Sequence, residues 1–266
     1  MSEHKERKTL EERNQMSDLE RLRHSCAHIL ATAICRIWPD AQLAGGPAVE
    51  NGFYYDVELD HRISTEDFER IEAEMKKVVK ENQTFQKEII SRADAMKMAE
   101  SGELGALGPR SGPSRFKIDL LNDIPEDEQI SLYRNGDFTD LCAGPHVGRT
   151  GNCKAFKIMS VASAFYKGDK NRPMLQRIYG TCFPKASMLE EYLHMLVNEI
   201  HSTIFATVDN NGNPVTCAID IMLAGEEGLY FLTARGKAFY DRLVSHPIIS
   251  LTGIKGKNTL LSLIHI

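Results

Sequence analysis

The sequence predicts an α+β fold in which helices flank an antiparallel sheet, followed by an incomplete β-barrel-like segment. Helical and strand-like runs do not alternate as they do in a parallel α/β protein. Hairpin-turn chemistry occurs at Asn135-Gly136 and between Asp209 and Gly212. Apolar residues make up 42% of the chain and charged residues 26%, which is a globular composition. With 266 residues, the chain has room for one large domain or two ordinary ones.

The first helix is predicted to begin at Ser17, which forms a capping box with Glu20, and to end at Trp38-Pro39. Apolar residues recur between these points at spacings of three and four. A second helix is predicted from about Thr65 to Asn82. Strands are predicted at Phe53–Val57, Phe85–Ile89, Phe116–Leu120, Ile130–Arg134, Lys154–Val161 and Leu175–Phe183.

Charge density changes along the chain, from 56 charged residues in the first 186 positions to 13 in the last 80. Such a shift predicts a domain boundary. After it we expect a helix headed by a Ser187/Glu190 capping box, one further short helix, and three or four strands. That number of strands is too small to close a barrel. The predicted segments are a charged extension, a main domain, a partial barrel and a tail, at residues 1–16, 17–186, 187–260 and 261–266.

Composition also excludes several classes of protein. No run of about 18 apolar residues occurs, and the N-terminus has no apolar signal region, so we expect a cytoplasmic protein without a membrane segment. In a cytosolic chain the six cysteines are expected to stay reduced, which argues against a disulfide framework. None of them forms a C-x-x-C pair, which argues against a zinc ribbon. A net charge of −5 is not that of a strong electrostatic nucleic-acid binder.

Two pairs of residues are candidates for chemistry. His24 and His28 lie four positions apart, so a helix projects both imidazoles from one face. Cys142 and His146 flank a Gly-Pro turn, and Asp140 lies two positions before the cysteine. Taken singly, the first pair is also typical of half-buried helix histidines, and the second of a tight turn with a buried cysteine. Together they supply four groups able to bind a metal or act as acid, base or hydrogen-bond donor.

The motifs H-S-C-A-H at 24–28 and D-L-C-A-G-P-H-V at 140–147 resemble the editing domain of threonyl-tRNA synthetases, found in looser form in alanyl-tRNA synthetases. The resemblance covers residues 17–193 and includes the stretches 51–56, 165–169 and 175–181. It implies hydrolysis of seryl-tRNA(Thr), with the acceptor end of tRNA(Thr) as partner. ATP would serve only a class II ligase core, which does not follow here. The implied catalytic residues are His24, His28, Lys117 (on a strand), Asp140, Cys142 and His146.

Threonine and serine differ by one methyl group, which gives only about 1–3 kcal/mol of discrimination. A second, hydrolytic site therefore needs a positioned water, a proton acceptor and donors for the developing oxyanion. Imidazoles suit the first two tasks, and Lys117 suits the third. The resemblance leaves the metal open. His24, His28, Cys142 and His146 suit zinc, which the alanyl relatives bind, whereas threonyl-type domains are expected to need no cofactor.

From about residue 191 to 260 the chain resembles the pyridoxamine-phosphate-oxidase-like, flavin-binding split barrel, on the stretches 204–209, 212–216 and 228–240. That resemblance implies that Thr233, Arg235 and Lys237 contact the phosphate of FMN and that the chain pairs as a homodimer. An ordinary solvated turn is the alternative. A flavin-binding oxidoreductase or binding module is thus the rival function.

The join between the two resemblances falls within residues 188–193, and residues 261–266 look like translated sequencing adapter. We therefore hypothesise a chimeric, truncated reading frame, with a non-functional fragment as a third interpretation. Intact genomic reads across residues 186–200 would instead support a natural fusion.

Overall fold

The computed structural model of the protein describes residues 15–198, 202–209, 212–225, 228–231, 233–245, 248–255 and 258–265. The chain divides into two compact units between Ala186 and Ser187. Both units combine helices with antiparallel strands, which confirms the predicted α+β class. In the described part of the chain, no helix is long and apolar enough to cross a membrane.

The helices of the first unit are α1 (Asp18–Ile37), α2 (Phe68–Glu81), α3 (Arg92–Glu100) and α4 (Arg115–Asp123). Its strands are β1 (Gln42–Gly45), β2 (Ala48–Val49), β3 (Gly52–Glu58), β4 (Gln86–Ile90), β5 (Ile130–Asn135), β6 (Phe138–Leu141), β7 (Ala155–Phe165) and β8 (Met174–Phe183). One antiparallel sheet has the order β1-β3-β8-β7, with β2 paired to β3, and a second has the order β4-β5-β6.

Helix α1 is the central element of the first unit. The predicted capping box is present, since the Ser17 hydroxyl accepts the Glu20 amide at 3.2 Å and the Glu20 carboxylate accepts the Ser17 amide at 2.8 Å. Nearly all side chains between Leu22 and Cys35 are buried, and they share a core with α2 and β3. This packing holds α1 in a set position, so its polar side chains have fixed directions.

One predicted strand is wrong. Residues 116–120 belong to helix α4, which buries Phe116, Lys117 and Leu121. Phe116, Ile118 and Leu120 alternate with polar residues, and over so few positions this pattern cannot separate a strand from one face of a helix. Lys117 therefore reaches the interior from a helix. Helix α3 was not foreseen from the sequence, whereas the strands now numbered β3, β4, β5, β7 and β8 are confirmed.

The second unit contains α5 (Ala186–Asn198), β9 (Ser202–Val208), β10 (Pro214–Gly225), β11 (Gly228–Phe231), α6 (Ala238–Ser245), β12 (Ile248–Lys255) and β13 (Asn258–His265). Its strands form an antiparallel sheet in the order β11-β10-β9-β12-β13. The described residues thus hold five strands where the sequence predicts three or four. The extra strand, β13, includes most of the predicted tail and pairs with β12. The origin of residues 261–266 stays a prediction, and Ile266 lies outside the described residues.

Candidate functional site

The first half of the site is on α1. The helical repeat places His24 and His28 one turn apart, with ring centroids separated by 5.6 Å. His28 is buried edge-on against the rings of Phe138 and Phe85, at 5.8 and 6.2 Å. His24 is half-buried, and both histidines line a cavity.

The second half of the site is the turn that follows β6. Cys142 comes directly after the strand, and its amide donates to the carbonyl of Ser131 on β5 at 3.2 Å. Gly144 adopts φ +73°, a backbone conformation that residues with a Cβ rarely take. Its amide donates to Cys142 Sγ at 3.3 Å. The chain therefore reverses sharply and places His146 Nε2 at 3.2 Å from Cys142 Sγ.

The two halves converge on one point. His24, His28, Cys142 and His146 each offer a ligand-type atom, and these atoms lie within 4.8 Å of one another. Cys142 Sγ is 3.4 Å from His24 Nε2. The His146 ring lies 4.2 Å from each of the other two imidazole rings. We call these four residues the quartet. The packing of α1 against the turn brings them together, and their chemical roles stay predictions.

Two of the quartet imidazoles are neutral near pH 7. Burial lowers the pKa of His28 from 6.5 to about 3, and the charge of Asp140 only partly opposes this. Burial, together with His24 and His28, also holds the pKa of His146 well below its usual range. Neutral imidazoles keep an unprotonated ring nitrogen, which is the form that accepts a proton or binds a metal.

The orientation of His24 follows from its outer nitrogen. Nδ1 lies 3.2 Å from the carbonyl oxygen of Pro145, which can only accept, so Nδ1 carries the hydrogen. The lone pair of Nε2 therefore faces Cys142. Metal-binding histidines commonly donate their other N–H in this way, and three imidazoles with one thiolate are ligands that zinc takes. The quartet thus fits a zinc ion by its donor types and by the mutual closeness of its ligand atoms.

A buried ion pair lies beside the quartet. Lys117 Nζ is 2.7 Å from Asp140 Oδ1, and both side chains are almost fully buried. The same ammonium donates to the carbonyl of Ala44 at 3.0 Å, while the Tyr55 hydroxyl donates to the other oxygen of Asp140. Lys117, Asp140 and Tyr55 line the same cavity as the two α1 histidines, and its volume is about 510 Å³.

Sequence reasoning missed two residues of this region, Tyr55 and Ser25. Tyr55 alternates with Tyr54 on β3 and points into the core, where a tyrosine hydroxyl needs a partner. Ser25 is a short polar residue on the buried side of α1, between the two histidines, and its hydroxyl contacts His146. The sequence signal that could have identified Ser25 is a polar residue at a helical position predicted to be buried.

The predicted flavin contacts belong to the second unit. Thr233 is half-buried, whereas Arg235 and Lys237 are exposed, and all three lie in the connection between β11 and α6. Their part in binding FMN stays a prediction. Purified protein that is yellow, with flavin absorbance, would support it, and colourless protein would contradict it.

Residues 130–179 match the family model described as threonyl and alanyl tRNA synthetase second additional domain. This range holds Asp140, Cys142 and His146, while His24, His28 and Lys117 lie before it. The chain is also similar to the threonine–tRNA ligase of Clostridioides difficile, with 52% identity over 178 residues, 66% of this chain and 26% of the relative.

Two further threonine–tRNA ligases show similar sequence identity and coverage. The ligase of Caldanaerobacter subterraneus is 49% identical over 65% of this chain and 25% of its own length, and that of Acetivibrio thermocellus is 50% identical over 64% and 25%. The chain therefore spans about a quarter of the length of these relatives. Its N-terminal part is therefore similar to threonine–tRNA ligases, and residues 130–179 within that part match the second additional domain.

Proposed function

We propose that the first unit is an aminoacyl-tRNA editing hydrolase, which removes serine from tRNA(Thr) mischarged with it and takes the acceptor end of that tRNA as substrate. The quartet carries this proposal, because its members His24, His28 and Cys142 line one cavity together with a buried ion pair. The fourth member, His146, contacts all three. Similarity to threonine–tRNA ligases supports the choice of tRNA.

The bond to be broken is an ester between the serine carboxyl carbon and a ribose oxygen of the terminal nucleotide. In the proposed step, a water oxygen attacks that carbon while an unprotonated nitrogen of His24 or His28 takes the proton of the water. The carbon–oxygen ester bond then breaks, and the proton passes to the ribose oxygen. Free serine and uncharged tRNA result, with no oxidant or ATP consumed.

We propose for Lys117 a role other than the oxyanion donor expected from the sequence. Its ammonium has three donor hydrogens, and Asp140, Ala44 and Tyr55 lie at 2.7, 3.0 and 3.4 Å from it. We therefore assign Lys117 to holding Asp140 in place at the wall of the cavity. Cys142, with an imidazole on each side, positions water or substrate in this scheme and forms no covalent bond.

The scheme has two forms, one that uses ordered water alone and one that uses a zinc ion. If it binds, the quartet would hold it, and it would supply a water of lowered pKa. Deacylation that survives dialysis against a chelator supports the water-only form. Activity lost on chelation and restored by zinc supports the metal form.

The test is deacylation of seryl-tRNA(Thr) by the purified chain, with threonyl-tRNA(Thr) as the competing substrate. We expect release of serine and little release of threonine. His24→Ala and His28→Ala should remove most of the activity. His61→Ala is the matched control, because His61 is exposed and bonded to Asp67 away from the cavity. Wild-type protein that releases no serine, or quartet variants as active as the control, would overturn the proposal.

A further inference from the structure

The hydroxyl of Ser25 joins α1 to the turn that carries His146. Ser25 is fully buried and is absent from the cavity wall. Its Oγ lies 2.8 Å from the Arg21 carbonyl oxygen, 3.0 Å from the Val147 amide nitrogen and 3.1 Å from His146 Nδ1. Three partners around one hydroxyl restrict where its single hydrogen can point.

The distances assign that hydrogen. The Val147 amide can only donate, and the Arg21 carbonyl can only accept. A separation of 2.8 Å is typical of O–H···O bonds, whereas 3.1 Å falls in the range of N–H donors. Ser25 therefore gives its hydrogen to Arg21, and its oxygen accepts hydrogens from Val147 and from Nδ1 of His146.

We infer that Ser25 is a positioning residue, which holds His146 as the Nδ1–H tautomer so that the Nε2 lone pair faces Cys142 Sγ. Pro145 does the same for His24 through its carbonyl oxygen. The buried Nδ1 of His28 has no hydrogen-bond partner in the described structure, so His28 is held by packing alone. Ser25 is thus the side chain that orients a quartet imidazole without touching the cavity.

The tautomer part of this inference stands on geometry, and its effect on rate rests on the proposed hydrolysis. Without the Ser25 oxygen, Nδ1 loses its acceptor and the Nε2–H tautomer becomes accessible. That form aims a hydrogen at Cys142 Sγ, which would reorient the thiol that positions water or substrate in the proposed step and would remove the lone pair that a metal needs. Loss of such an orienting partner typically lowers activity about 10–100-fold.

The experiment compares wild type with Ser25→Ala, Ser25→Thr and Thr32→Val in the presence of a chelator. Thr32 is the matched control, because it is a buried α1 residue whose hydroxyl also donates one turn back, to the backbone carbonyl of His28. That hydroxyl accepts from the Asn135 side-chain amide and contacts no imidazole nitrogen. Nitrogen-15 spectra of the imidazoles, assigned with His146→Gln, report the tautomer directly. Deacylation kinetics on the same proteins report kcat and KM separately.

We expect wild type, Ser25→Thr and Thr32→Val to show a single Nδ1–H form of His146, and Ser25→Ala to populate the Nε2–H form. In Ser25→Ala, kcat should fall about 10–100-fold with KM little changed. A wild-type Nε2–H form, or an Nδ1–H form unchanged in Ser25→Ala, would overturn the inference. So would an unchanged kcat in a variant whose tautomer has shifted. The wild-type spectrum tests the predicted tautomer of His146 even if Ser25→Ala does not fold, or if wild type releases no serine.

Discussion

Lys117 and Asp140 form an ion pair 2.7 Å long that is closed off from solvent, with side-chain exposures of 2% and 3%. They come from different elements, α4 and β6, and meet at the wall of the cavity. The Tyr55 hydroxyl and the Leu141 amide also donate to the Asp140 carboxylate, the latter at 2.8 Å. Removing one member of a buried ion pair is strongly destabilising, because the remaining charge is left buried without a counterion.

Replacing Asp140 by Asn should destabilise the protein, because the charge of Lys117 would then lie buried without a counterion. We expect the free energy of unfolding in urea to fall by about 3–5 kcal/mol. Glu88→Gln is the control, since it breaks a half-exposed ion pair with Arg134 and should cost under about 1 kcal/mol. A loss in Asp140→Asn no larger than in this control would contradict the assignment.

Stability should fall as the pH drops below about 6, in part because of His28. Its pKa is about 3 in the folded protein and 6.5 as a free side chain, so the unfolded chain takes up the proton first. Between these values the free energy of unfolding should lose about 1.4 kcal/mol per pH unit at this residue. Urea midpoints measured with a chelator at pH 5 and 7.5 test this. His28→Gln should flatten the dependence, and an equal slope in both proteins would refute the prediction.

Gly144→Ala should distort the turn that holds Cys142 and His146. The positive φ costs a residue with a Cβ about 1–2 kcal/mol, and the added carbon would overlap the Tyr133 hydroxyl. We expect a lower unfolding temperature and weaker deacylation. Gly148→Ala is the control, because no heavy atom lies within 4 Å of the added carbon there. Two variants of equal stability would show that the turn does not require glycine.

Thiol labelling should separate Cys142 from the core cysteines. Cys142 and Cys217 are half-buried, and the other four cysteines are buried. Hydrogen bonds from the thiols of Cys153 and Cys26 lower the pKa of Cys182, but its side chain is inaccessible. We expect the exposure of each thiol, and not its pKa, to determine the labelling rate, because a thiolate must contact the reagent in order to react.

Ellman's reagent should therefore detect two fast thiols in the native protein and six after unfolding in urea. Cys142→Ser should lower the native count to one. Fast reaction of a third cysteine in the native protein would mean that the core opens, or that acidity outweighs burial at Cys182.

The amino-acid sequence determined the local features. The capping box at Ser17, the end of α1 before Pro39 and the four-residue spacing of His24 and His28 depend on neighbours one turn away, so pattern alone sufficed. The motifs that resemble an editing domain also lie in short, continuous stretches. Residues 116–120 show the limit, because a five-residue alternation fits either a strand or a helix and packing against the core decides between them.

Tertiary structure decided what the site residues can do. Cys142 and His24 are 118 positions apart, and no local pattern specifies the 3.4 Å between their atoms. The acceptor for His146 Nδ1 comes from Ser25 on α1, and the counterion of Lys117, which lies on helix α4, comes from strand β6. The low pKa of His28 and the burial of the Lys117–Asp140 ion pair arise only when distant elements pack together, because desolvation is a property of the surroundings and not of the residue.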